Sequence, residues 1–201
     1  MELTKLADII QGNIPTRIEV PSGQSIETIT MQELNYIANV SDDLPIEKYL
    51  TVQSDKIATY SLTKEYDVVV GLSSGKAIVI EQSRARKLVL SNLAIIRIKD
   101  INVLDPHYLC WYINNNKAAL KELNKLKQAT AAVSVIPLSM LKGFDIVLLP
   151  IEKQRIIGKI NELKRKRDRL THIIETKKSD ILTQQLIKTF EKESKNGNKR
   201  V

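Results

Sequence analysis

The sequence is poor in the residues that build many active sites. Among 201 residues it has one cysteine, Cys110, and two histidines, His107 and His172. One cysteine excludes an internal disulfide and a cysteine-based zinc cluster, and neither histidine has a partner at metal-ligand spacing. Cys110 lies between Leu109 and Trp111 in an apolar stretch, which favours a buried structural thiol over a nucleophile. We therefore expect no metal site and no cofactor.

Long apolar runs are also missing. No stretch approaches the roughly 18 apolar residues needed to span a bilayer, and residues 1–4 lack the charged-then-apolar order of a signal peptide. These absences predict a cytoplasmic protein.

Positive charge is present but unevenly placed. Residues 151–201 contain 15 of the 31 basic and 7 of the 23 acidic residues, which accounts for the whole net charge of +8. The first 150 residues carry no net charge, so any DNA contact there must come from local clusters. The candidate clusters are Arg84, Arg86 and Lys87, and a group of Lys117, Lys121, Lys125 and Lys127 opposed only by Glu122.

Apolar patterning predicts an α+β domain over residues 1–150. The β-branched runs predict strands at residues 67–72, 77–80, 93–98 and 144–149. Three helices are expected. The first is at residues 3–11, the second starts at the Asp105-Pro106 signal, and the third is at residues 117–127. The rest of the first 65 residues is broken by turn formers and predicts loops and irregular strands.

A long helix is predicted over residues 151–192, where no proline interrupts the sequence. Its apolar residues fit heptad a and d positions: Ile156, Ile160, Leu163, Leu170, Ile174 and Ile181. Such a helix would be about 60 Å long, more than one face of the domain needs, so we expect it to project and pair as a coiled coil. Arg167 and Lys177 also occupy this seam. They either fix register and partner orientation, or the seam is partly exposed to solvent or covered by another subunit. Residues 193–201 are expected to form a flexible basic tail.

Two motifs superficially indicate enzymes. Residues 71–76, Gly-Leu-Ser-Ser-Gly-Lys, are one residue short of a phosphate-binding loop, and Ala77 replaces the Ser or Thr that holds magnesium. Residues 105–108, Asp-Pro-His-Tyr, resemble the Asp-Pro-Pro-Tyr motif of amino-group DNA methyltransferases, but His107 replaces a proline and the chain has no Gly-x-Gly. A strand turn and a helix cap explain these residues better, so we expect a non-catalytic protein.

The junction before the long helix resembles type I restriction-modification specificity subunits. In that family a strand ends in Leu-Pro and a Glu-x-Gln-x-Ile segment opens the long helix; here the matching residues are Leu149, Pro150, Glu152, Gln154 and Ile156. Ile151 departs from the pattern, because a second proline often follows the first. Further segments resemble motifs of the family and occur in the same order along the chain: residues 6–12, 67–69, 91–92 and 104–109. The resemblance therefore spans nearly the whole chain.

The resemblance implies a target-recognition domain at residues 1–150 and a dimerisation or spacer helix at residues 151–192. Full-length members resemble two such units in tandem, so this chain looks like a half-subunit. Two copies pairing through antiparallel helices would restore the two-domain arrangement and favour a palindromic bipartite DNA site. The implied partners are double-stranded DNA and a methyltransferase (modification) subunit, with a restriction subunit left open.

No base-reading residue transfers from the family by motif, so the DNA-binding candidates come from local chemistry. They are Ser73, Ser74, Lys76, Arg84, Arg86, Lys87, Lys125, Lys127, Gln128 and Thr130. An ordinary solvated surface remains the alternative for each. A coiled-coil structural or regulatory protein whose domain binds protein is the second hypothesis, and an enzyme acting on small molecules is the third.

Overall fold

The computed structural model describes residues 1–128 and 135–197. The strands are β1 (Ala7–Gln11), β2 (Glu19–Ile29), β3 (Lys48–Val52), β4 (Val68–Gly71), β5 (Ala77–Val79), β6 (Leu88–Val89) and β7 (Leu93–Ile98). The helices are α1 (Leu3–Leu6), α2 (Pro15–Ile18), α3 (Met31–Ile37), α4 (Pro106–Asn115), α5 (Lys117–Gln128), α6 (Leu138–Lys142) and α7 (Ile151–Gly197). Two 3-10 helices lie at Ser54–Thr59 and Gln82–Arg84.

A four-stranded antiparallel sheet with strand order β1-β7-β4-β5 organises the domain. Both of its faces are covered. Val68 and Val70 of β4 pack into a core with α4, α5 and α6, whereas Val69 packs with Leu34 of α3 on the other face. Burial on both faces explains why β4 and its neighbours are continuous apolar runs rather than alternating ones.

A second, three-stranded sheet has the order β3-β2-β6. The antiparallel β2–β3 pair carries an irregularity between Glu19 and Gln24, while β2 and β6 are parallel. A small core of Ile26, Leu50 and Val52 supports this sheet. The two sheets approach each other near Gly12, where an added Cβ would collide with the backbone of Leu90.

Helix α4 begins as the sequence predicts. The side chain of Asp105 accepts a hydrogen bond from Tyr108 N–H at 2.8 Å, and Pro106 occupies the first turn. Cys110 of α4 is buried, as the sequence predicts, and its thiol donates to the carbonyl of Ala77.

The chain divides into two compact units, Met1–Glu162 and Leu163–Val201. The first unit extends past residue 150 and includes the first three turns of α7. There, Gln154 and Gly158 are buried, and Asn161 is 8% exposed. The second unit continues α7 and carries local ion pairs such as Lys178 with Glu175 at 3.1 Å.

The long helix and the α+β class are confirmed. The predicted helix over residues 3–11 is wrong beyond Leu6, because residues 7–11 form β1 and pair with β7. The predicted strand at residues 144–149 is also wrong. Residues 144–149 form only one isolated β-bridge, between Asp145 and Glu2. The pairing cannot continue because helix α1 begins at Leu3, directly after Glu2.

No helix within the described residues combines the length and the apolar character needed to cross a membrane.

Candidate nucleic-acid interface and pairing helix

The turn between β4 and β5 holds the first predicted cluster. Gly75 N–H donates to Gly71 C=O at 2.7 Å, and Gly75 has the positive φ of 67° that favours glycine. Ser74 Oγ accepts a hydrogen bond from Lys76 N–H at 3.2 Å, while Ser73 is exposed. A Cβ at Gly71 would collide with Ser74 Oγ. The turn is therefore a tight, internally bonded loop rather than a phosphate-binding loop.

This turn lies beside the junction of α4 and α5. The Asn114 side-chain amide donates to Ala77 C=O at 2.8 Å and accepts from Ala77 N–H at 2.9 Å, so it pairs with β5 as a strand would. Ile136 N–H donates to Leu72 C=O at 2.8 Å. The β4–β5 turn, the start of α5 and the segment that begins at Val135 thus meet at one end of the sheet.

Most of the second cluster is occupied by ion pairs. Lys87 Nζ lies 2.6 Å from Glu27 and 3.0 Å from Glu33, and Arg84 Nε lies 3.2 Å from Glu33. Burial lowers the pKa of Lys87, but hydrogen bonds to Glu27 and Glu33 outweigh it, so the pKa is raised overall. Arg86 is exposed and has a φ of 68°. Arg86 is thus the member of this cluster best placed to meet a ligand.

The third cluster lies on α5. Lys125 is exposed and lines a groove of about 470 Å³ with Lys117, Leu120, Lys121 and Asn124. Ala119 and Leu123, on the other side of the helix, are buried in the core. The side chains of Lys127 and Gln128, and the whole of Thr130, lie outside the described residues.

The pKa of one carboxyl group on α5, that of Glu122, is shifted by its surroundings. Burial raises the pKa of Glu122, with a smaller contribution from Asp145, and Lys125 opposes the change. The acidic residue of this helix is thus partly withdrawn from solvent and still interacts electrostatically with Lys125.

The six predicted seam residues of α7 are all exposed. Their exposed fractions are Ile156 59%, Ile160 62%, Leu163 54%, Leu170 60%, Ile174 52% and Ile181 55%. In the seam, Arg167 pairs with the neighbouring Asp168 at 2.6 Å. A row of half-exposed isoleucine and leucine side chains is the surface that a second helix would cover.

A different face of α7 contacts the domain within the first unit. Gln154 Nε2 donates to Leu149 C=O at 2.7 Å and Val103 C=O at 3.0 Å, and Oε1 accepts from Asp105 N–H at 3.0 Å. One turn later, a Cβ at Gly158 would lie within 3.0 Å of atoms of Asp105. The sequence identifies Gln154 as part of a motif, but only the structure shows its three hydrogen bonds to backbone groups.

The residues of the methyltransferase-like motif have structural roles. Asp105 caps α4, and the hydroxyl of Tyr108 donates to Val147 C=O at 2.7 Å. Burial raises the pKa of Tyr108, with a smaller effect of Tyr112. Among the described residues, no group of three or more His, Cys, Asp or Glu side chains could hold a metal ion.

Comparison with protein-family models gives no match, and comparison with curated protein sequences gives none either. Solved structures do match. The HsdS subunit from Thermoanaerobacter tengcongensis is 16% identical, with a TM-score of 0.55 over 85% of this chain and 38% of its own. A structure described as showing complex assembly and conformational transition of the type I R-M system is 18% identical, with a TM-score of 0.56 over 89% of this chain and 42% of its own.

A third match is the type I restriction-modification system S subunit from M. genitalium, 14% identical with a TM-score of 0.49 over 83% of this chain and 38% of its own. The chain spans about two fifths of the length of the structures it matches. It therefore has the specificity-subunit fold, in the form of one mixed α+β domain followed by one long helix.

Proposed function

We propose that this protein is a non-catalytic DNA-recognition subunit that directs a type I restriction-modification methyltransferase to its target sequence. The observation that carries the proposal is the HsdS fold, which is shared over 85% of the chain. The ordered motifs at residues 6–12, 67–69, 104–109 and 149–156 support it independently, because they are features of the sequence alone.

Two copies of the chain pair through antiparallel α7 helices in this proposal. The exposed a and d residues supply the apolar seam that such pairing needs. An antiparallel twofold pair places one recognition domain at each end, so each domain reads one half of a palindromic, bipartite site. The modification subunit supplies the methyl-transfer chemistry, and a restriction subunit is a further partner in systems that cleave. The complex works in the cytoplasm, where the DNA is.

Recognition within one half-site divides between two kinds of contact. Lysine and arginine side chains bind phosphates and set the position, whereas hydroxyl, amide and cationic groups in loops read base edges in the major groove. Ser73, Ser74, Lys76 and Arg86 belong to exposed or half-buried loop segments suited to the second task. Arg84 and Lys87 support that surface from within their ion pairs, and Lys125 belongs to α5, whose start lies at the same end of the sheet as the β4–β5 turn. Lys127, Gln128 and Thr130 remain DNA-binding candidates from the sequence.

The proposal is tested by mapping methylated bases across the host genome with and without the gene. Deletion should abolish methylation at one bipartite motif, and the wild-type gene should restore it. The Ile174→Lys variant should fail to restore it, because it places a charge in the seam. An unchanged methylation pattern after deletion would contradict the proposed function.

A further inference from the structure

We infer that the exposed face of α5 is the surface by which this domain grips the DNA backbone. The inference rests on the proposed function and adds to it the place and chemistry of the phosphate contact. It rests on Lys117, Lys121 and Lys125, with Leu120 and Asn124 between them in the groove.

The spacing of the three lysines suits a polyanion. They follow one another at intervals of four residues, so their Cα atoms advance about 6 Å per step along the helix. The row is about 12 Å long, and each DNA strand carries one charge per about 3.4 Å of duplex axis. The three ammonium groups of one α5 helix can therefore meet up to three phosphates of a single strand.

The charge of this row is not neutralised within the domain. Among the described residues, Lys117, Lys121 and Lys125 form no ion pair, in contrast to Lys87 with its two glutamates. Glu122, the one acidic residue of α5, interacts electrostatically with Lys125, but within the described residues the two form no ion pair. The three ammonium groups consequently keep a counterion atmosphere that a bound phosphate strand would release.

The helix is held firmly enough to position DNA. Ala119 and Leu123 anchor it in the core, and Asn116 Oδ1 accepts from the backbone N–H groups of Ala118 at 3.0 Å and Ala119 at 3.2 Å. The Asn114–Ala77 bonds place the β4–β5 turn beside the start of α5. If the phosphates of a DNA strand bind along α5, the adjoining groove of the DNA faces the β4–β5 turn, which carries Ser73 and Lys76.

The test compares variants of the full chain that carry the same charge. The test variant is Lys117→Gln/Lys121→Gln/Lys125→Gln, and the control is Lys48→Gln/Lys56→Gln/Lys64→Gln, which removes three exposed lysines of other elements. The probe is a fluorescein-labelled duplex of arbitrary sequence, because phosphate binding does not require the target site. Fluorescence anisotropy gives Kd across a series of salt concentrations.

In the test variant the slope of log Kd against log salt should fall by about 2.7, and Kd in ~0.1 M salt should rise by roughly two orders of magnitude. The control should keep most of the wild-type slope. Replacing the same three lysines by arginine should also keep it, which separates loss of charge from loss of fold.

Two results would overturn the inference alone: a wild-type slope in the test variant, or an equal loss in the control. In both cases the wild-type chain still binds duplex, and the proposed function stands. A wild-type chain that binds no duplex, alone or with its methyltransferase, would instead contradict the proposed function and the inference together.

Discussion

At the scale of single residues, the buried side chain of Gln154 connects the last helix to the domain through three backbone groups. Replacing it with alanine would leave Val103 C=O, Leu149 C=O and Asp105 N–H without their partner. We expect Gln154→Ala to lower the free energy of unfolding by about 3 kcal/mol. Urea denaturation measures this change. Gln184→Ala, at an exposed site of the same helix, should change it by less than about 0.5 kcal/mol.

Replacing Gly158 with alanine should change the stability of the protein in the opposite direction from the same replacement at an ordinary helical glycine. In an exposed helix, replacing glycine with alanine stabilises by about 1 kcal/mol. Here the new Cβ would lie 2.8 Å from Asp105 Oδ1 and His107 Cβ and 2.9 Å from Tyr108 N. Asp105 cannot retreat without losing the cap of α4.

We therefore expect Gly158→Ala to destabilise by about 1–3 kcal/mol, as overpacking does. Thermal unfolding compared with Gly143→Ala measures it, because the nearest atom to a Cβ at Gly143 is 3.9 Å away. Equal or greater stability of Gly158→Ala would show that the two helices can separate at no cost.

The limits of sequence reasoning at this scale are visible in the second basic cluster. Arg84 and Lys87 are candidates because they are close together in sequence and positively charged. Their partner Glu33 is 51 and 54 residues away, so no local pattern reveals the pairing. The lysines of α5 are recognisable by contrast, because intervals of four residues place them on one helical face.

At the scale of elements, local sequence signals predict a helix or strand correctly where its conformation depends mainly on its own residues. The Asp105-Pro106 start of α4 and the heptads of α7 are signals of this kind, and β7 has the predicted bounds. Residues 7–11 are different. They adopt the strand conformation of β1 because β7 offers them a five-residue antiparallel edge, which is a tertiary effect that the local pattern does not contain.

Helix α7 carries two apolar stripes on different faces. With Ile181 at heptad position a, Leu182, Leu186 and Phe190 take positions b, f and c, outside the seam. These three side chains form a second exposed apolar stripe, with exposed fractions of 60%, 72% and 74%. Pairing through the seam should therefore depend on Ile174 but not on Phe190.

We expect Ile174→Lys to weaken the proposed dimer by about 3–6 kcal/mol, since two isoleucine side chains per dimer lose their burial. That corresponds to a roughly 10²- to 10⁴-fold increase in the dissociation constant. Sedimentation equilibrium measures it. Phe190→Lys introduces the same charge on the other stripe and should leave the dimer intact. Equal effects of the two substitutions would exclude pairing through the heptad seam.

At the scale of the whole molecule, the proposed dimer implies that the length of its paired helices sets the spacing of the two DNA half-sites. Duplicating residues 167–173 adds one heptad and preserves the seam. It should separate the two domains by about 10 Å, or about three base pairs of duplex. Methylation mapping should show the same half-sites with a spacer longer by about that amount.

An insertion of five residues at the same place is the matched control. It rotates the two parts of the seam out of phase, so it should abolish pairing instead of lengthening the spacer. An unchanged spacer in the heptad variant would contradict the idea that α7 measures distance.

The side chain of Asn114 also affects what the molecule does not bind. Strand β5 is at the edge of the four-stranded sheet, and unpaired edge groups invite strands from other chains. Asn114 occupies both the N–H and the C=O of Ala77. We therefore expect this edge to resist strand addition by other chains, which would leave contacts between copies to the proposed helix pairing.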